Sequence, residues 1–72
     1  MRRFDSKALY RAMDAQRSER GQSWREVAAT IGVSESTILR TRDGGRMEVD
    51  GMLAMVGWLN VPVETFVRES EG

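Results

Sequence analysis

Cysteine and histidine are both missing from this 72-residue chain. Without cysteine there is no disulfide staple, no thiolate nucleophile, and no Fe–S or Cys-type zinc site. Without histidine, the usual general base, Ser–His arrangements and the commonest transition-metal ligand go as well. Proline occurs once, at Pro62. No apolar run approaches the ~18–20 residues of a membrane span, and Met1-Arg2-Arg3-Phe4-Asp5 does not lead into a signal peptide's apolar stretch. No P-loop or metal-ligand spacing occurs, and Asp14, Glu26, Asp43 and Asp50 read as caps and surface charges. A non-enzyme is expected, with no cofactor, no metal, no membrane and no small-molecule ligand.

The same absences bear on stability. A single domain of this length buries only about 60% of the surface its unfolded chain exposes. Cores of this size rarely supply more than about 3–5 kcal/mol, and disulfides, metals or oligomerisation then add to them. The first two are ruled out here, which leaves a homodimer as the expected support.

Charge of one sign is also lacking overall, since 11 basic residues balance 11 acidic ones. The distribution is uneven. Residues 1–46 hold ten basic against six acidic side chains, a net of +4; residues 47–72 hold one against five, a net of −4. Such a split suggests one surface made for polyanions and another kept away from them.

What is present is helix punctuation. Period-2 alternation is absent over any strand-length window, so no strand is expected. Asp5 is placed to cap a first helix, with Phe4 and Leu9 at the staple positions and Leu9, Ala12, Met13 and Gln16 at helical spacing. Gly21 is its expected stop. Ser23-Trp24-Arg25-Glu26 is an S-x-x-E capping box for a second helix, with Val27, Ala28 and Ile31 as its apolar stripe and Gly32 at its end. Ser34 then caps a third helix running to Arg42, and Asp43-Gly44-Gly45 breaks it. A fourth is expected to cap at Asp50 and run Gly51–Leu59, with Met52, Leu53, Val56 and Leu59 inward. Pro62 opens a short fifth helix to Phe66 or Val67. Loose ends are expected at about 1–4 and 68–72.

Two short helices joined by a Gly-containing turn, in the middle of a small helical chain, describe a helix-turn-helix at about residues 23–42. Ala28 permits close approach of the third helix, Gly32 suits the left-handed turn, and Val33 and Ile38 lock the pair. The stretch SWREVAATIGVSESTILRTRDGGRMEVDGMLAMVGWLNVPVETF, Ser23–Phe66, resembles the Xre or lambda-repressor/Cro-like helix-turn-helix family. The segment EVAATIGVSESTI has that family's shape, and MLAMVGWLNVPVETF is similar to its fourth and fifth helices. The chain departs from the pattern at Thr41, where an apolar residue is common, and in having Gly44-Gly45 and no proline before helix 4.

The resemblance implies an all-α, compact five-helix lambda-repressor-like domain spanning residues 1–72. It implies a sequence-specific reader of double-stranded DNA, a bacterial or phage transcriptional regulator working in the cytoplasm as a homodimer. Its recognition helix, 34–42, would place Glu35, Ser36, Thr37 and Arg40 against base edges. Arg40 can grip guanine O6 and N7 with two hydrogen bonds. Glu35 can accept from a cytosine amine, or simply supply favourable charge at a helix N-terminus. Phosphate contacts would come from Ser23, Trp24 and Arg25 at the start of helix 2 and from Arg42 and Arg46 beside the glycine loop. Trp24 also suits the seam between helices 1 and 2. Arg2 and Arg3 could form an arm or a loose terminus. Met55 and Trp58 form a second apolar stripe on helix 4, suited either to a dimer surface or to packing on helix 5 or helix 1. Zero net charge and Glu35 leave another reading open, a helix-turn-helix that binds a protein, as an antitoxin-like or regulatory subunit does.

Overall fold

The computed structural model describes residues 1–69, and Asp5 shows how its first helix starts. The Asp5 carboxylate accepts the Ala8 amide at 3.0 Å, and α1 runs Ser6–Glu19 before Arg20 and a left-handed Gly21 turn the chain. Ser23 starts α2, Trp24–Ile31, through a complete capping box with Glu26. Gly32, at φ 77°, ends it in the left-handed conformation that glycine adopts without strain. Two residues later the Ser34 hydroxyl accepts the Thr37 amide and opens α3, Glu35–Arg42.

α4 spans Val49–Leu59. Its N-cap is Glu48, which makes no side-chain cap bond, so the start lies ahead of the expected Asp50. Asp50 instead stands in the first turn, where negative charge favours the helix N-terminus. After Asn60, in the left-handed region, and Pro62, the chain makes one 3₁₀ turn, Val63–Phe66. The expected fifth helix is only this 3₁₀ turn, and it goes no further because the Phe66 carbonyl is taken by the Asp5 amide at 2.7 Å and the chain leaves as an extended strand.

That strand corrects a second expectation. β1 (Arg2–Phe4) pairs antiparallel with β2 (Val67–Glu69), Phe4 opposite Val67 and Arg2 opposite Glu69. Phe4 stands edge-on to Phe66 at 6.0 Å, Arg68 pairs with Asp5 and Arg2 with Glu69. Residues 2–4 and 68–69 are therefore tied down, and Arg2 and Arg3 form no arm. The remainder of the expected loose tail, 70–72, lies outside the described residues. The described residues form a mostly helical structure of four α-helices closed by a two-stranded ribbon.

The core is drawn from every helix: Leu9 and Met13 of α1, Val27 and Ala28 of α2, Ile38 of α3, Met55, Val56 and Leu59 of α4, with Phe66 beneath the ribbon. On α4 one side chain departs from expectation, and another settles on packing within the fold rather than on a dimer surface. Leu53 is 52% exposed rather than inward, and Met55 is fully buried. Met55 meets Thr41. This buried residue of α3 donates its hydroxyl to the Thr37 carbonyl at 3.1 Å and lies 3.7 Å from the Met55 sulfur, while α4 packs mainly on α1 and α2. No described helix is long and apolar enough to cross a membrane.

Candidate nucleic-acid interface

The α2–α3 pair presents most of the side chains singled out by sequence, and it is held from behind. Val27, Ala28, Ile38 and Thr41 are its buried side chains. Everything else on α3 is turned outward or sits at a seam. Glu35, Ser36, Leu39 and Arg40 are exposed, and Thr37 is half-buried. Thr37 is engaged: its hydroxyl lies 2.8 Å from that of Ser34, and its methyl lies 3.7 Å from where a Cβ would stand on Gly51. It acts at the α3–α4 seam, whereas Glu35, Ser36 and Arg40 stand free of α4. Ser36 keeps its hydroxyl 3.1 Å from that of Ser34.

The arginines differ in how committed they are. Arg42 is drawn back onto its neighbour Asp43, Nε to Oδ1 at 3.2 Å. Arg25, Arg40 and Arg46 make no ion pair among the described residues. Arg40 and Arg46 border an open groove of about 460 Å³ between α3, the Gly32-Val33 turn and the start of α4. Ile31, Val33 and Met47 supply its apolar lining, and Glu48 and Asp50 its opposite charge. A cation facing water on a rigid helix keeps its hydrogen-bonding capacity for a partner; one already paired must exchange a bond to gain another.

At the start of α2 the Ser23 hydroxyl is spent on capping the Glu26 amide at 3.1 Å, and Glu26 in turn accepts the Ser23 amide at 3.2 Å. This leaves the Trp24 and Arg25 amides, which lie within the first turn and have no intrahelical acceptor. Trp24 itself is half-buried. Its ring stacks on Tyr10 at 5.1 Å and carries the Arg17 guanidinium at 5.0 Å, so its side chain closes the α1–α2 seam.

These contacts reveal positioning residues that sequence reading passed over. Arg17 donates to Asp14 at 2.7 Å and to the Gln22 carbonyl at 2.7 Å, fixing the loop that leads into α2. The signal was legible in part, because Asp14 and Arg17 are one helical turn apart. Leu39 was also passed over. It is 39% exposed, one turn beyond Glu35 and Ser36 on the same helix. At the dimer stripe, Met55 is unavailable because it is buried, while Trp58 is half-buried beneath Arg20 at 4.9 Å.

Set against protein-family models, curated proteins and solved structures, the chain finds no match. The functional reading therefore rests on geometry and side-chain chemistry.

The fold pairs charges across the two halves without changing their balance. β pairing brings Glu69 onto Arg2 and Arg68 onto Asp5. On the candidate surface the positive charge is carried by Arg25, Arg40 and Arg46, exposed and without an ion pair among the described residues.

Proposed function

We propose that this chain binds double-stranded DNA sequence-specifically, as a lambda-repressor-like, Xre-type helix-turn-helix regulator with α3 in the major groove. The observation that carries the reading is Arg40: exposed, without an ion pair, and borne on a short helix whose opposite side is locked by Ile38 and Thr41. A bidentate arginine contact to guanine needs both a free guanidinium and a fixed helix axis. Ser36 lies one turn before it, and Glu35 at the start of the helix, both near enough to meet neighbouring base pairs. Leu39 suits the methyl group of thymine. The free Trp24 and Arg25 amides, with Arg25 and Arg46, suit phosphate oxygens, and Arg42 joins them by exchanging its bond to Asp43.

A protein-binding role has one observation in its favour. The groove beside Arg40 also carries Glu48 and Asp50, which would meet a phosphate unfavourably and a basic peptide favourably.

Selection of bound duplexes from a random pool separates the two, with the winner titrated between about 50 and 200 mM salt. DNA reading predicts an enriched palindrome whose affinity falls by orders of magnitude over that range. No enrichment, with binding no tighter than the ~10⁻⁴–10⁻⁶ M of non-specific attachment, would reject it in favour of a protein partner.

A further inference from the structure

The outward face of α4 has no partner within the fold, although it is built like a buried one. α4 carries a single charged residue, Asp50, along eleven positions. A helix apolar on nearly all sides is normally covered on all sides. Here Met55, Val56 and Leu59 meet the core, while Val49 is 64% and Leu53 52% exposed. Between them the face is made of small residues. Ala54 and Gly57 lie one turn apart, and a Cβ on Gly57 would meet nothing within 4 Å. Packing within the chain gives no reason for a glycine there, and glycine weakens a helix interior.

The ends of the face carry opposite charge. Glu48 and Asp50 stand at its N-terminal end, on the rim of the groove that Arg40 and Arg46 border from the other side. At its C-terminal end Arg20 lies over the Trp58 ring. None of the three forms an ion pair among the described residues. A surface that is apolar in the middle, acidic at one end and basic at the other complements itself when rotated by a two-fold axis. We propose that the occupant is a second copy of this chain, with α4 packed antiparallel on α4. Ala54 then lies opposite the partner's Gly57, where the two small residues let the backbones approach. The Leu53 side chains line the seam, and Glu48 and Asp50 meet the partner's Arg20 at both ends. The helix is only roughly 16 Å long, so the contact is small and the dimer dissociates in the micromolar range or above.

The proposal needs no DNA, although a two-fold pair would suit a palindromic site. It is tested by sedimentation equilibrium of the full chain without DNA, from micromolar to millimolar concentration. Wild type should pass from monomer to dimer. Leu53→Glu and Gly57→Gln should each raise the dissociation constant about tenfold or more. Gly57→Gln should do so while its dilute monomer melts no lower than wild type, which excludes misfolding as the cause. Arg20→Asp alone should weaken the dimer, and Arg20→Asp with Asp50→Arg should restore it. A wild type that stays monomeric at millimolar concentration would overturn the proposal. So would a dimer that Leu53→Glu and Gly57→Gln leave intact, or a charge swap that fails to restore it.

Discussion

α3 and α4 are neighbours with opposite economies. α3 buries only Ile38 and Thr41 and turns glutamate, serine, leucine and arginine outward. α4 buries Met55, Val56 and Leu59 and still turns valine and leucine outward. A helix held by so few buried side chains leaves most of its surface open to polar chemistry, provided that the anchors are good. Thr41 shows how good. A buried hydroxyl without a partner would cost about 1–3 kcal/mol, but here it is satisfied by the Thr37 carbonyl and rests near the Met55 sulfur. α3 is fixed mainly against α1 and α2, with Met55 of α4 meeting it at Thr41.

Breaking the packing behind α3 should have the largest effect. Ala28 is 5% exposed and lies where α2 meets the core, so Ala28→Glu buries an unpaired charge. With only about 3–5 kcal/mol to lose, the variant should be unfolded by circular dichroism at 25 °C. Ile38→Ala leaves α4 whole and loosens α3, at a cost of about 2–5 kcal/mol. Its thermal midpoint should fall steeply, and DNA affinity should fall with the folded fraction.

A smaller effect is expected at the cap. Ser34→Ala removes the acceptor for the Thr37 amide and should cost about 1 kcal/mol by chemical denaturation. The smallest separates the two arginines of the loop. Arg46→Ala should reduce the slope of log affinity against log salt by about 1. Arg42→Ala should reduce it less, since Arg42 must first leave Asp43. Equal slopes would show that the Arg42–Asp43 pair has no influence on the interface.

The features legible in the sequence were those set by local chemistry. Asp5, Ser23 and Ser34 cap helices through bonds to amides three residues on, and the Ser23–Glu26 box is reciprocal, so short-range spacing is enough to find them. Gly32 is similarly local. What was hidden depends on partners far apart in the chain. Arg2–Phe4 and Val67–Glu69 are too short to show alternation, and their pairing joins the two ends. On α4 periodicity could not say which stripe faces inward, because nearly all of them are apolar; the choice is set by packing on α1 and α2, distant in sequence. At the candidate site, the outward positions of α3 were legible from helical spacing. The engagement of Thr37 with Ser34 and Gly51 was not, and neither was the difference between paired Arg42 and unpaired Arg46.

The central claim is that Arg40 reads a base. It is tested most directly by titrating wild type and Arg40→Ala on the selected duplex and on duplexes with each guanine of a half-site replaced. At one guanine the wild type should lose about 1–3 kcal/mol of binding, and Arg40→Ala should bind both duplexes alike with an unchanged melting temperature. If Arg40→Ala discriminates at every guanine as well as wild type does, α3 does not read DNA through this residue.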